Sequence, residues 1–388
     1  MTNNRPLQAT ERNSAIDLLR GLVMIIMVLD HARDFWTGIT PDPTNLDTTS
    51  ASLFFTRWIT HLCAPVFVFL AGTSAYLYGS RRSSGQLSWF LLSRGLWLVF
   101  IEFTLCKYVW IPEPGYSAVL LQVIWAIGWS MVALSALCFL GVTAVGAIGL
   151  VIVAGHNLLD GVTPADLGSL APLWTVLHEG GMLQITDSLL WVVAYPLLPW
   201  IGVMALGYCF GVTVTLPTTQ RQTLYFRTGL LLIGLFLALR AGNFYGDPAP
   251  WSAQDTPGFT VLSFLNTTKY PPSLQYLLMT LGPALCLLAW FESWSRGPVF
   301  NALLTFGRVP LFFYVLHLYL LRFTALPVSV ARFGEEAASP PPGPAGSAML
   351  GLWVTYLAWI LAIAILYPAC RWFAGVKARR KDWWLSYL

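Results

Sequence analysis

Apolar residues in this chain come in blocks of about twenty, separated by short polar clusters, from residue 15 to residue 374. A bilayer core of ~30 Å takes about 20 helical residues to cross. On that rule ten candidate spans lie near 15–35, 54–79, 88–111, 118–140, 142–159, 187–214, 228–243, 273–293, 299–325 and 347–374. The pattern predicts an all-α fold, a polytopic membrane helix bundle of about ten transmembrane helices, forming a single domain over residues 1–388. Residues 1–14 precede the first span as a polar tail, and residues 375–388 follow the last as a basic one. Spans two, six and nine contain Pro65, Pro196 with Pro199, and Pro310. Broken helix at membrane depth is tolerated where it packs in protein or lines a cavity, which places the sixth and ninth spans inside the bundle. Residues 160–186 and 244–272 are the longest connections on one side, with enough aromatics and glycine to fold over that face. No repeat of 20–50 residues is visible, and ASPPPGPAGS at 338–347 reads as a spacer.

Composition agrees. The chain is 56% hydrophobic and only 10% charged, against about 25% charged in soluble domains. Its partner is therefore the lipid bilayer, and the 18 Trp suit interfacial belts. A scattered net charge of +4 gives no reason to expect nucleic acid. The six cysteines lie in or beside apolar runs, with no CxxC pair, and read as small core-filling residues with no metal site. No small-residue cleavage site follows MTNNRPLQATERNS, so Leu18 onward reads as a retained first span and not a signal peptide. Lys and Arg set orientation. With the N-terminus inside, the inner side receives Arg5, Arg12, Arg81, Arg82, Arg221, Arg227, Arg296 and the tail KARRKDWWLSYL, while the outer connections are mainly acidic. Both termini are then cytoplasmic.

Ionisable groups within spans are costly and mark functional sites by default. In the first span Arg20 and His31 are eleven residues apart, which at about 100° per residue returns to nearly the same face, ~16 Å further along. Asp17, Met24, Met27 and Asp34 fall close to that line. His31 can serve as a base in a partly desolvated cavity with Asp30 or Asp34 orienting its ring, or simply sit at the interface bonded to Asp34. His61 has Arg57 at i−4 on the same face. Arg94 and Glu102 diverge by about 80° and bond to different neighbours, and Gln122 reads as interhelical glue. In FGRVPLFFYVLHLYLLR, Arg308 and His317 face opposite ways on a straight helix, and Tyr314 stands three residues before His317 as a partner for it. His156 and His178 are expected to be solvated in or beside outer loops. Asn266 and Lys269, in NTTKYPP, sit where they can grip a polar acceptor or merely start a helix. There is no P-loop, HExxH, GxSxG or GxGxxG sequence.

The Arg20–ten residues–His31 arrangement after IDLLRG resembles the first-span signature of the transmembrane acyltransferase superfamily, including the acyltransferase family 3 O-acyltransferases. Across HLCAPVFVFLAGTS, QVIWAIGWS, YPLLPWIGVMALGYCFG, KYPPSL, FGRVPLFFYVLHLYL and the terminal DWWLSYL, the chain resembles bacterial relatives of the heparan-alpha-glucosaminide N-acetyltransferase family. That resemblance implies an acyl-CoA-dependent acetyltransferase in the bacterial inner (plasma) membrane. It would move an acetyl or other acyl group from cytosolic acetyl-CoA to a sugar or other hydroxyl or amine acceptor on the outer side. In the sugar acetyltransferases an Asn matches His31, an Asp matches His61, and a His follows the first span; here residues 37–53 contain no His. The resemblance thus moves catalysis to His31, with Asp30, Asp34 and His61 around it. The resemblance brings a coenzyme whose phosphates, by the orientation above, meet Arg20, Arg81, Arg82, Arg94 and Arg308, and an acceptor for which Lys269, Asn266, His317 and Tyr314 are available. It leaves room for a homo-oligomer and calls for no metal. The competing reading is a proton-coupled secondary transporter that uses the same buried His, Arg and Asp residues as a relay.

Overall fold

The computed structural model describes residues 14–37, 42–113, 115–294, 296–334, 350–380 and 382–387. The N-terminal tail through Asn13, the spacer at 338–347, and Arg5, Arg12 and Lys381 lie outside the described residues. Among the described residues ten helices have membrane length. Nine are α2 (Ala51–Gly79), α3 (Ser84–Trp110), α4 (Val123–Leu140), α5 (Val142–Leu159), α6 (Leu197–Thr215), α7 (Thr218–Gly242), α9 (Leu274–Phe291), α11 (Pro310–Arg332) and α12 (Leu352–Arg379), all apolar enough to cross a bilayer. The tenth is α1 (Ser14–Trp36), equally long but carrying Asp17, Arg20, Asp30, Arg33 and Asp34. Two shorter helices, α8 (Pro257–Leu265) and α10 (Pro298–Arg308), lie between them.

A helix with five charged residues cannot face lipid cheaply, and α1 does not. It runs through the centre of the bundle against α2, α9, α10, α11 and α12. Among the other spans α2 and α9 are the most enclosed, while α5, α7 and α12 are largely peripheral. Of the two spans expected inside, α6 is mostly enclosed and α11 less so.

Helices in lipid gain little from hydrophobic burial against each other and instead approach closely over small residues. A Cβ at Gly21 would stand 1.9 Å from the Leu303 carbonyl oxygen, and one at Gly307 would stand 1.9 Å from that of Asp17, so α1 and α10 touch backbone to backbone. Gly72 and Gly207 join α2 to α6 in the same way, at 2.1 and 2.0 Å from the Met204 and Phe69 carbonyls.

Three sequence boundaries need correction. The expected span at 299–325 is two helices, because Val309 leaves helical geometry and Pro310 starts α11. The spans expected to begin at 118 and 187 begin instead with β-strands. Strand β1 (Ala118–Leu121) pairs in parallel with β3 (Leu189–Val193), which pairs antiparallel with β2 (Gly181–Thr186), giving the order β1-β3-β2. Short apolar strands that run straight into apolar helices have no separate periodic signature. The prolines also sit at helix starts more than at breaks: Pro196 caps α6 and Pro310 is the first residue of α11.

Candidate active site

The stripe anticipated on α1 exists, and it lines a series of voids. Near the start of α1, Arg20 and Met24 face a cavity of about 360 Å³. One turn on, Met27 and His31 face a void of only about 30 Å³. At the far end Asp30, His31 and Asp34 face a cavity of about 690 Å³. Phe67 and Val123 belong to the walls of both the first and second voids, while Gln122, Tyr195 and Lys269 are shared by the second and third. Arg20 and His31 therefore look into one succession of chambers joined through a narrow neck, not into a single open passage.

The lower cavity is apolar in most of its wall and cationic at its margin. Arg20 donates to Asp17 Oδ1 at 2.8 Å, to Ser74 Oγ at 3.0 Å and to the Gly307 carbonyl at 3.2 Å, so its guanidinium is fixed by three elements. The guanidinium of Arg94 lies over the Phe90 ring at 3.6 Å and the Tyr387 ring at 4.7 Å. Arg308 and Lys377 complete the rim. Arg81 and Arg82, grouped with these from sequence, are exposed on the α2–α3 turn and do not line the cavity. Arg82 instead covers Tyr78 at 3.8 Å. Lys377 was missed, although its place at the basic end of the last helix was the available signal.

His31 is buried, and its Nδ1 lies 2.7 Å from Nε2 of His317, the rings stacked at 13°. His317 Nδ1 in turn lies 3.0 Å from the Phe313 carbonyl. A carbonyl only accepts, so Nδ1 of His317 carries a proton and, in the neutral ring, its Nε2 does not. Nδ1–H of His31 must then donate to His317, which leaves Nε2 of His31 with a free lone pair. This dyad replaces the expected orientation of His31 by Asp30 or Asp34. Those carboxylates are otherwise engaged: Asp30 pairs with Arg57 and, at 3.1 Å, with Arg33, while Asp34 pairs with Arg33. His317 is fully buried behind His31 and lines none of the three voids described above, so it stands away from any molecule they could hold. The Tyr314 hydroxyl does not bond His317; it is buried and lacks a partner among the described residues, and the ring, which lines the lower cavity, meets that of His31 edge-on with centroids 6.3 Å apart.

The remaining predicted residues separate. Lys269 lines the upper cavity and the neck, with its ammonium 5.0 Å from the Tyr270 ring. Asn266 is elsewhere: its amide donates to the Thr44 carbonyl at 2.9 Å and its own carbonyl accepts from Arg240 at 2.6 Å, tying loops together. His61 is buried, lines neither cavity, and lends only its carbonyl to the Tyr276 hydroxyl at 2.9 Å. Gln122, read as glue, makes no side-chain cap and instead lines the junction of neck and upper cavity. His156 and His178, expected in solvent, are both buried. The three-stranded sheet supplies a wall of the upper cavity through Ala118, Leu120, Met182, Leu190 and Val192. Burial pushes the Tyr270 phenol up, but the charges of Lys269 and Arg57 outweigh this and hold it below the ordinary tyrosine range. Burial pushes neighbouring Tyr195 well above that range.

The arrangement offers a cation-rimmed chamber, a neck, and beyond it a larger chamber whose wall carries His31 among the charged residues Asp30, Asp34, Arg57 and Lys269. The family model described as heparan-alpha-glucosaminide N-acetyltransferase, catalytic, matches residues 12–238, more than half of the chain. No curated protein matches it. The matched stretch contains Arg20, His31 and Arg57, whereas Lys269, Arg308 and His317 lie beyond it.

Proposed function

Because the chain belongs to the heparan-alpha-glucosaminide N-acetyltransferase catalytic family, a family of membrane acetyltransferases, we propose that it transfers an acetyl group from acetyl-CoA, entering the lower cavity, to an acceptor in the upper one. Thioester chemistry requires little beyond positioning, removal of a proton from the acceptor, and stabilisation of an oxyanion. The donor phosphates are held by Arg20, Arg94, Arg308 and Lys377, since guanidinium and ammonium groups are the usual partners of phosphate. The slender pantetheine arm then extends along the α1 stripe past Met24, bringing the thioester to the neck between Phe67 and Val123.

His31 Nε2 takes the proton from a sugar hydroxyl or amine. The acceptor oxygen or nitrogen bonds to the carbonyl carbon, and the carbonyl electrons move onto oxygen near Tyr314 and Gln122. When these electrons return, the carbon–sulfur bond breaks and coenzyme thiolate departs, receiving the proton held by His31. His317 holds the productive tautomer throughout. Asp30, Arg57 and Lys269 supply hydrogen-bonding charge to a polar acceptor.

The distribution of charge supports the sidedness. Arg20, Arg81, Arg82, Arg94, Arg308 and Lys377 gather at the end where α1 begins, as positive residues do on the cytoplasmic side. This supports cytoplasmic termini and an inner-membrane location. The observation that carries the reading is the single helical stripe linking the cationic chamber to the free nitrogen of His31. Purified protein incubated with labelled acetyl-CoA and a panel of sugars and amines tests it. Label is expected on an acceptor, with His31→Ala reducing the rate by at least ~100-fold, the lower end of general-base contributions. Parent-like transfer by a folded His31→Ala protein would overturn the assignment of the base, and no stabilisation of the parent by acetyl-CoA would overturn the donor.

A further inference from the structure

Outside the cavities described above, the described residues bring together one group of three metal-ligating side chains, His156, Asp160 and His178, whose donor atoms all lie within 4.8 Å of one another. We propose that these residues hold a zinc ion on the face of the bundle where α5 ends. The first two come from the last turn of α5 and the residue after it. The third comes from the helical turns at 164–179 that lead to β2.

The side chains are arranged for a ligand in a way that packing does not require. His156 is only 2% exposed, and among the described residues its ring approaches the Pro272 carbonyl without closing a well-formed hydrogen bond at either nitrogen. Asp160 Oδ1 is likewise buried and unpartnered. Buried polar atoms nearly always find partners, so a buried imidazole with no well-formed hydrogen bond, set beside the unbonded Oδ1 of Asp160 and the ring of His178, indicates an ion. His178 Nε2 lies 3.7 Å from Asp160 Oδ1 and 3.0 Å from the His156 carbonyl. A cation among the three side chains takes that nitrogen from the carbonyl. Atoms 4.8 Å apart in a triangle leave a centre ~2.8 Å from each, and zinc bonds of about 2.1 Å need inward shifts of roughly 0.7 Å or less.

Neighbours hold the ligands in place. Asn157 Nδ2 donates to Asp160 Oδ2 at 2.8 Å, which turns Oδ1 toward the two imidazoles. The His178 ring stacks on Trp174 at 4.9 Å. Such supporting contacts are characteristic of metal ligands. Two imidazoles and one carboxylate favour zinc over magnesium or calcium, which prefer oxygen donors. Three protein ligands leave a fourth position for water. The ion would clamp the end of α5 to the segment preceding the sheet. Through Asn157, whose Oδ1 accepts from Leu274 N at 2.9 Å, it would also reach the start of α9.

The test is metal content in the full-length protein in detergent, independent of any activity. The parent is stripped with chelator, exposed to Zn²⁺ alone, dialysed and assayed by atomic emission, and a parallel sample is loaded with Co²⁺ for visible absorption. About one zinc per chain is expected, with a tetrahedral Co²⁺ band, and both should fall to background in His178→Ala and Asp160→Asn. Those two variants are used because His156→Ala removes a core side chain and can fail to fold; their melting curves are recorded alongside. Zinc in the parent no higher than in the folded variants, or equal zinc in all of them, would overturn the proposal.

Discussion

Replacing His317 by Phe removes the acceptor of the 2.7 Å bond from His31 while keeping a flat ring stacked between Phe313 and His31. The Nδ1–H of His31 then has no partner in a dry site, at a cost of about 1–3 kcal/mol. The ring escapes that cost by turning or by moving its proton to Nε2, and either change removes the lone pair from the upper cavity. With about 1.4 kcal/mol per factor of ten, acetyl transfer should fall by roughly 5- to 150-fold. The loss should stay below that of His31→Ala, because a general base is worth about 10²–10⁴ in all. His317→Gln, which keeps an acceptor, should recover part of the rate. The His31→Ala/His317→Phe double variant should be no slower than His31→Ala, since the second residue acts through the first. Single-turnover transfer of labelled acetyl groups, with melting curves to confirm folding, measures the parent and the four variants. A folded His317→Phe enzyme within twofold of the parent would refute the tautomer argument. A His317→Phe defect larger than that of His31→Ala would refute the division of roles.

Three further outcomes are expected. Arg20→Ala and Arg308→Ala should each weaken acetyl-CoA binding by ~10- to 100-fold, as loss of a charged hydrogen bond of about 1.5–3 kcal/mol requires, whereas Arg82→Ala should leave it unchanged; calorimetric titration reads the difference. Gly307→Ala should strongly lower the melting temperature, because its Cβ would stand 1.9 Å from the Asp17 carbonyl, while Gly234→Ala, with open space beside it, should be neutral or stabilising. In ultraviolet difference titration, tyrosinate should appear below the ordinary value near 10 in the parent and later in Tyr270→Phe. An acid whose folded pKa is depressed stabilises the fold above its unfolded pKa, and that contribution disappears as pH falls through the folded one. Tyr270→Phe should therefore lower stability only in the alkaline range, leaving melting at neutral pH unaffected by this route.

What the sequence disclosed was mostly what one helix can disclose alone. The eleven-residue interval from Arg20 to His31 needs only helical geometry to read, and the structure lays Arg20, Met24, Met27 and His31 along successive cavities. Contacts across helices were out of reach. His31 and His317 are 286 residues apart, and the depth at which α11 sits beside α1 is set by the close α1–α10 crossing and the break at Val309, not by any local pattern. Nearby carboxylates therefore attracted the assignment that belongs to His317. Arg81 and Arg82 were grouped with the rim because a side of the membrane is legible from charge while a position on that side is not. The strands at 118–121 and 189–193 were absorbed into spans because an apolar residue looks the same in a buried strand as in a membrane helix.

The constriction beside Met27 has a physiological meaning of its own. At about 30 Å³ it accommodates little more than one water molecule. A catalyst that must present a soluble cytoplasmic reagent to a recipient across the lipid runs the hazard of becoming a pore and dissipating the ion gradients on which the cell depends. In the reaction proposed above, the slender arm of the donor would fill this point while it is threaded, so that the passage is never an open channel. On that proposal insulation and turnover fall to the same few side chains, and trimming Phe67 or Met27 is expected to make the membrane leak ions before it slows transfer.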